Sequence, residues 1–205
     1  GVPENCSSIV EEINKFIVHE DQQILRVSFE NIPSSFAVKE ITANALATFL
    51  LNLARRNIFK DAPLVMFIDE AHQFLNKNVK DEYFESQTLD AFDLIAKECR
   101  KYGLFLCLAT QMPRDIPIGT LSQVGTFIVH RLINELDKKS IENAASSANR
   151  SVLSFLPTLG AGEALLVGVD FPMPLLVKIT EPKKKPESRT PKLRVKKYEN
   201  SVKSE

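Results

Sequence analysis

The sequence predicts an α/β protein whose layers are built on a mostly parallel sheet, because strand and helix patterns alternate and several strands are uninterrupted apolar runs. The 205 residues suffice for one sizeable core, and 44% of them are hydrophobic. The runs Leu64–Ile68 and 104–109 are apolar throughout, which is typical of strands covered on both faces. Helical patterns separate them, and this order favours a three-layer α/β sandwich.

The first half of the chain is predicted to contain two helices and two strands. Ile9–Val18 has a helical period. Residues 24–29 are a short aliphatic run ending in a turn signal, which predicts a strand. Residues 36–56 have apolar side chains at helical spacing, with Ser34 or Ser35 as candidate N-cap residues. Leu64–Ile68 follows as the second strand.

The second half continues the alternation. Residues 88–102 have a helical period and stop at Gly103, a natural residue just past a helix C-terminus. Further patterns predict two strands, a helix beginning at Asn134, and two closing strands for which antiparallel pairing is one option. Their ranges are 104–109, Thr126–Val129, 134–148, 164–169 and 175–179.

Composition divides the chain into a helical lead-in at residues 1–23, a body at 24–180 and a tail at 181–205. The tail has nine Lys and Arg residues against four Asp and Glu residues, although the whole chain is neutral. It also has three prolines and few apolar residues, so we expect a flexible basic extension that can contact nucleic-acid phosphates. Residues 76–85 are polar and charged and are expected to form a flexible insertion.

Several classes of protein are excluded by composition. No apolar stretch approaches the roughly 20 residues that span a bilayer, and the N-terminus has no signal-peptide pattern. Three scattered cysteines do not make a disulfide framework or a zinc site. Cys99 and Cys107 lie in apolar runs and are expected in the core. We therefore expect a reducing, cytoplasmic setting with no membrane partner.

Two carboxylates follow the strand Leu64–Ile68 directly. Asp69 and Glu70 would lie at the carboxyl edge of the sheet, where open α/β folds bind ligands. Adjacent carboxylates repel each other unless a cation lies near, and Mg²⁺ with nucleotide phosphates supplies that charge. Asp69 would then hold the metal through its water shell, and Glu70 would polarise the attacking water. A solvated acidic turn is the alternative.

Gln111 follows the next strand and would face the same edge, close to a γ-phosphate or the attacking water. A polar residue that merely begins a loop is the alternative. His72 is expected to support the site residues or to pack in the core rather than to bind a metal, since no His or Cys partner lies at ligand spacing. His130 is expected to be structural.

The motifs in order make the chain resemble the HerA family of hexameric DNA-translocating ATPases across residues 22–180. They are Val27-Ser28-Phe29, Ile68-Asp69-Glu70-Ala71-His72-Gln73-Phe74-Leu75, Arg100-Lys101-Tyr102-Gly103, Ala109-Thr110-Gln111-Met112-Pro113-Arg114-Asp115-Ile116-Pro117, Leu121-Ser122-Gln123, His130-Arg131-Leu132, Asp137, Leu156-Pro157 and Gly162-Glu163-Ala164. The resemblance implies a RecA-like P-loop NTPase that uses ATP and Mg²⁺ and works as a hexameric ring on double-stranded DNA. It also implies action beside a partner nuclease in DNA-end processing or phage defence.

The resemblance implies that ATP lies between subunits and that an arginine from the neighbour stabilises charge on the transferring phosphoryl group. Arg100 has that position in the family pattern, and Arg131 is the second candidate for binding the nucleotide. Asp69, Glu70 and Gln111 lie within the motifs that carry the resemblance. Arg100 has an alternative role as a cation at a helix C-terminus.

The chain departs from the family at the phosphate-binding loop. None of its seven glycines forms the Gly-x-x-x-x-Gly-Lys-Ser/Thr pattern that cradles phosphates. We therefore expect that the chain begins inside the domain, that its sheet is incomplete on the N-terminal side with an exposed apolar face, and that it is inactive alone. A non-catalytic assembly or partner-binding domain is the alternative function. A two-metal nuclease using Asp69, Glu70 and Asp170 ranks third.

Overall fold

The computed structural model describes residues 8–19, 21–32, 37–75, 78–79, 87–145, 148 and 150–184. Helices and strands are interspersed through this part of the chain, which confirms the α/β class. The helices are α1 Ile9–Val18, α2 Val38–Arg55, α3 Ala91–Glu98, α4 Ile118–Leu121, α5 Glu135–Ala144 and α6 Arg150–Leu153. The strands are β1 Leu64–Ile68, β2 Asn78–Val79, β3 Gln87–Thr88, β4 Leu104–Leu108, β5 Thr126–Val129, β6 Glu163–Gly168 and β7 Leu175–Lys178.

Strands β1 and β4 pair in parallel, with Leu64 opposite Leu104 and Ile68 opposite Leu108. The ladder continues past both carboxyl ends. The amide of Ala109 donates to the carbonyl oxygen of Ile68 at 2.9 Å, and the amide of Ala71 donates to the carbonyl oxygen of Ala109 at 2.9 Å. The two segments that follow these strands are therefore held side by side.

Gly103 sets the start of β4. It ends the 3₁₀ turn Cys99–Tyr102 in the left-handed region, at φ 79°, as the sequence predicted. A Cβ on this residue would lie 2.0 Å from the carbonyl oxygen of Phe59. Only glycine meets both requirements, because it tolerates positive φ and lacks a side chain.

A second sheet has the order β5-β6-β7, with both pairings antiparallel. The antiparallel option for the closing strands is thus confirmed. The inward side chains include Phe127, Val129 and Val167, which are all buried. Among the described strands, parallel pairing is confined to β1 and β4, and β2 and β3 form a short antiparallel pair.

Helices α2 and α3 are tied together at both ends and run in the same direction. Near their N-termini, the side chain of Asn44 accepts a hydrogen bond from the amide of Ala91 at 3.1 Å, which satisfies a free donor at the start of α3. Near their C-termini, Arg55 forms an ion pair with Glu98. Between these ties both helices contribute buried side chains to the main core, among them Ala47, Ala54 and Ile95.

The predicted strand at residues 24–29 does not form. These residues have no regular structure, and Ile24 is 88% exposed. A strand needs a neighbour to complete its ladder, and no described strand pairs with this segment. Phe29 at its end packs its ring against Phe74, with centroids 5.2 Å apart.

The expected exposed apolar face is present on the β1–β4 pair, whereas the expectation that both faces of these strands are covered is wrong. Val65 and Phe67 of β1 are 59% and 63% exposed, and Phe105 and Cys107 share that open face. Successive side chains of a strand point to opposite faces, so one face packs on the core and the other does not. Cys107 therefore lies outside the core, contrary to prediction, whereas Cys99 is buried and burial raises the pKa of its thiol.

Three helix boundaries differ from the sequence patterns. α2 begins after Ala37, while the predicted caps Ser34 and Ser35 lie outside the described residues. The helix expected at 88–102 is shorter, consisting of α3 and the 3₁₀ turn that follows it. The side chain of Asn134 does cap α5, accepting from the amide of Leu136 at 2.8 Å, but that helix ends at Ala144 rather than at residue 148.

Two predicted segments fall largely outside the described residues. The expected insertion at 76–85 is described only at the two residues of β2, and the tail only as far as residue 184. Among the described residues, none of the helices has both the length and the apolar character needed to cross a bilayer.

Candidate functional site

The polar residues that follow β1 and β4 lie next to each other. Asp69 and Glu70 come after β1, and Thr110 and Gln111 come after β4. Because the two strands are parallel and hydrogen-bonded, their carboxyl ends meet at one edge. The structure thus brings together three of the predicted site residues, Asp69, Glu70 and Gln111.

Glu70 is the centre of this cluster. Its backbone lies in the left-handed region, with φ 50° and ψ 46°, which is uncommon for a residue other than glycine. Its Oε1 accepts a hydrogen bond from Nε2 of Gln111 at 2.6 Å. Its Oε2 is buried and receives no hydrogen bond from the described residues. A carboxylate oxygen in this state has unused capacity to accept a proton donor.

Asp69 is exposed, and its Oδ1 accepts a hydrogen bond from the amide of Glu70 at 3.0 Å. Within the described residues, no group of three or more His, Cys, Asp or Glu side chains is placed to hold a metal by itself. Mg²⁺ is typically held by one or two carboxylates together with water and phosphate oxygens. The residues present therefore fit a Mg²⁺ that shares its coordination with a nucleotide.

His72 and Thr110 extend the cluster on the buried side of Glu70. Nδ1 of His72 lies 3.0 Å from Oγ1 of Thr110 and 3.4 Å from Oε2 of Glu70. Oγ1 of Thr110 also accepts a hydrogen bond from the amide of Met112 at 3.1 Å. The sequence favoured His72 as a residue that supports the site or packs in the core rather than as a metal ligand, and its contacts with Thr110 and Glu70 agree with the first of these roles.

Arg100 and Arg131 are not part of this cluster. Arg100 lies in the 3₁₀ turn before β4, at the opposite end of that strand from Gln111. Five residues of strand span about 17 Å. Arg131 follows β5 in the antiparallel sheet, and both side chains are exposed. Neither arginine contacts Asp69, Glu70 or Gln111 of its own chain in the contacts described above.

Asp170 does not join Asp69 and Glu70 either. Its Oδ2 accepts a hydrogen bond from Oγ1 of Thr126 at 2.6 Å, which ties the end of β6 to the start of β5. Asp170, the third carboxylate that a two-metal nuclease site would need, is thus hydrogen-bonded within the antiparallel sheet.

An ion pair beside the site had no role in the sequence analysis. Asp137 in α5 is 4% exposed, and it accepts from the amide of Arg114 at 3.2 Å and from Nη1 of the same residue at 3.3 Å. Arg114 lies three residues after Gln111, so this pair fixes the segment that follows β4 against α5. Because Arg114 and Asp137 are 23 residues apart in the chain, local sequence patterns do not predict their contact.

Relatives are found among archaeal helicases. Probable helicase MJECL08 of Methanocaldococcus jannaschii is 38% identical over 121 residues, which are 58% of this chain and 22% of that protein. The DNA double-strand break repair helicase HerA of Saccharolobus solfataricus is 33% identical over 119 residues, again 22% of its length. The matched part of the chain thus spans about a fifth of the length of these curated relatives.

Among solved structures, the genome packaging NTPase B204 from Sulfolobus turreted icosahedral virus 2 is similar, with a TM-score of 0.48 and 20% identity. The similarity covers 65% of this chain and 62% of that one. Similarity at this level has no bearing on function.

The family described as Helicase HerA-like C-terminal matches residues 47–204. This range contains β1, β4, the residues at their carboxyl ends and the whole antiparallel sheet. Most of the 205-residue chain is therefore covered by one family. The chain belongs to the family of helicase HerA-like C-terminal domains.

Proposed function

We propose that the full-length protein is an ATP-driven DNA translocase or helicase, and that this chain supplies the metal-and-water side of its ATP site. The observation that carries this proposal is the 2.6 Å contact between Gln111 Nε2 and Glu70 Oε1, at an edge that also presents Asp69. Membership of the HerA-like family supports it. Two carboxylates and an amide at one strand edge suit phosphoryl transfer, which depends on positioning and charge.

Each of the three residues has a separate role in this proposal. Glu70 orients and polarises the attacking water, and its turn in the left-handed region presents the carboxylate at the sheet edge. Gln111 holds one oxygen of Glu70 and lies where it can exchange that contact for one to the water or the γ-phosphate. Asp69 holds the water shell of Mg²⁺. When bound, Mg²⁺ neutralises the charge that develops on the phosphates.

Arg100 acts in this proposal on the nucleotide of a neighbouring subunit. It lies at the far end of β4 from Gln111, so it is badly placed for its own site and free to reach another. A homo-oligomeric ring, hexameric as in the resembled family, provides such a neighbour and encloses double-stranded DNA. Arg131 is the second candidate, since it is also exposed.

We further propose that β1 and β4 belong to the central sheet of a RecA-like three-layer fold. Val65, Phe67 and Phe105 leave one face of this pair open, and a second layer would cover it. A phosphate-binding loop is also required, and its pattern is absent from these 205 residues. We therefore assign the activity to the full-length protein.

The biological setting is proposed from the relatives. One relative is named as a DNA double-strand break repair helicase, which supports a setting in DNA-end processing. A partner nuclease is proposed from the family resemblance alone. Phage defence is the other setting in which such a motor would serve.

The test is ATP hydrolysis by the protein expressed from its full natural coding sequence, with and without duplex DNA. We expect DNA to stimulate turnover and Glu70→Gln to abolish it while ATP binding persists. A folded, assembled protein with no turnover that depends on Glu70 would overturn the proposal.

The second candidate function is a non-catalytic assembly or partner-binding domain. The exposed apolar face of Val65, Phe67 and Phe105 favours it, because large exposed apolar patches mark interaction surfaces. Absence of turnover together with a stable complex lost on Phe67→Ser would support this candidate over the motor.

A further inference from the structure

We propose that His72 is a positioning residue for Glu70: its Nδ1 carries the ring proton and directs it between Thr110 and the buried Oε2 of Glu70. Only the kinetic consequence rests on the proposed function, because the protonation of the ring follows from the geometry of this chain alone.

The carboxylate of Glu70 lies between two side chains from different segments. Gln111 Nε2 donates to Oε1 at 2.6 Å, and His72 Nδ1 lies 3.4 Å from Oε2. The second contact is longer than an ordinary hydrogen bond. Oε2 is nevertheless buried and receives no hydrogen bond from the described residues, and the polar side chain that the structure places beside it is the His72 ring.

Thr110 decides which proton arrangement is consistent with these contacts. Its Oγ1 accepts from the amide of Met112 at 3.1 Å and lies 3.0 Å from His72 Nδ1. If Nδ1 had no proton, Thr110 would donate to it, and the nitrogen lone pair would lie 3.4 Å from a buried carboxylate oxygen. That arrangement places two electron-rich atoms together without a proton between them, which is unfavourable at low dielectric.

The opposite arrangement, with the proton on Nδ1, removes this repulsion. A proton on Nδ1 is donated to Oγ1 of Thr110, which then accepts two hydrogen bonds, its full capacity. The same proton lies on the side of the ring that faces Oε2 of Glu70. The side chain of His72 is only 13% exposed, so water competes little for this proton. Oε1 of Glu70 is then held by Gln111, and Oε2 faces the ring proton of His72 at 3.4 Å.

This arrangement predicts a defined effect on catalysis. Replacing a residue that orients a reacting group typically lowers activity about 10-fold or more. Loss of orientation slows the chemical step without weakening substrate binding. Replacing His72 should therefore lower kcat and leave KM for ATP nearly unchanged.

The first test is ¹⁵N NMR of this chain labelled at histidine, at about pH 8.5, two units above the ordinary histidine pKa. The sequence has three histidines. Nδ1 of His130 lies 3.0 Å from the carbonyl oxygen of Glu163 and must carry a proton, so His130 is the internal reference, and exposed His19 represents a solvated ring. His72→Ala assigns the signal. We expect a protonated Nδ1 at His72, as at His130; a proton on Nε2 with bare Nδ1 overturns the proposal.

The second test compares His72→Ala with His72→Asn in the full-length protein, since asparagine can place an N–H donor near the Nδ1 position. We expect kcat to fall about 10-fold in His72→Ala with KM changed less than about 2-fold, and His72→Asn to recover most of the loss. Equal kcat in His72→Ala and the wild type overturns the positioning role. No Glu70-dependent turnover in the wild type overturns the proposed function instead, and the NMR result still decides the geometry.

Discussion

The parallel pair β1–β4 and the antiparallel sheet β5-β6-β7 both end their strands in polar residues, but they place those residues differently. In the parallel pair, Glu70 and Gln111 follow two different strands and meet at 2.6 Å. In the antiparallel sheet, a residue that follows one strand meets the beginning of its neighbour. His130 after β5 donates to the carbonyl oxygen of Glu163 at the start of β6, at 3.0 Å.

Strand direction explains the difference. Neighbouring parallel strands end at one edge, whereas neighbouring antiparallel strands end at opposite edges. Arg131 and Asp170, which follow β5 and β6, are therefore separated, and Asp170 bonds instead to Thr126 at the start of β5. The parallel pair gathers the proposed site residues at one edge, and the antiparallel sheet uses its polar groups to hold strands together.

The largest expected effect is a difference in ATP turnover between two carboxylate variants, one beside the parallel pair and one in the antiparallel sheet. Glu70→Gln should lower DNA-stimulated ATP turnover of the full-length protein about 1,000-fold, as expected for loss of a general base. Asp170→Asn should change it less than about 2-fold, since Asp170 serves the antiparallel sheet. Turnover at saturating ATP measures both, and comparable losses would contradict the division of roles.

Next in size is the loss expected when the arginine at the other end of β4 is removed. Arg100→Ala should lower turnover about 100-fold, because charge on the transferring phosphoryl group loses its partner. Turnover should partly return when Arg100→Ala and Glu70→Gln subunits are mixed, since some interfaces then have both residues intact. Failure of mixing to restore activity, with recovery in the corresponding Arg131→Ala mixture, would assign the role to Arg131.

The glycine at the start of β4 should matter more than one at the start of β6. Gly103→Ala is expected to lower the free energy of unfolding by about 2–3 kcal/mol, since it combines positive φ with a Cβ 2.0 Å from the carbonyl oxygen of Phe59. Gly162→Ala has a similar φ of 75° but 3.6 Å of clearance, so about 1 kcal/mol is expected. Chemical denaturation measures both variants, and equal losses would mean that the contact with Phe59 adds nothing.

The smallest expected effect concerns α5, which follows β5 and contacts the segment after β4 through Asp137 and Arg114. Asn134→Ala should lower the free energy of unfolding by about 1 kcal/mol, because the amides of Leu136 and Asp137 lose their acceptor. Asn134→Gly should lower the free energy of unfolding by only about a few tenths of a kcal/mol, since glycine is itself tolerated at an N-cap. Denaturation curves distinguish the two, and a larger loss in the glycine variant would contradict capping as the cause.

Much of the site was predictable because its signals are local. Asp69 and Glu70 directly follow a strand-forming run, Gln111 follows the next one, and parallel pairing brings the two ends together without any detailed packing. The contact of His72 with Thr110 and Glu70 was not predictable. It depends on side-chain rotamers in a turn whose central residue has an uncommon backbone conformation.

The unformed strand at residues 24–29 shows the same limit at the level of the fold. Its aliphatic pattern is strand-like, but a ladder needs a partner strand from elsewhere, and local sequence cannot supply that information. The open face of Val65, Phe67 and Phe105 is a similar case. An apolar run indicates that a strand can be buried on both faces, while coverage depends on what packs against it.

The amino-acid sequence alone determined the class of fold, most of the elements, the turn at Gly103, the cap at Asn134 and the resemblance to HerA, because each depends on neighbouring residues or on motif order. Tertiary structure alone decided which strands form and pair, which face of each strand is exposed and which side chains touch Glu70. Those outcomes depend on contacts between residues far apart in the chain, such as Gln111 with Glu70 and Arg114 with Asp137. Their free energies are set by geometry and burial that no local pattern records.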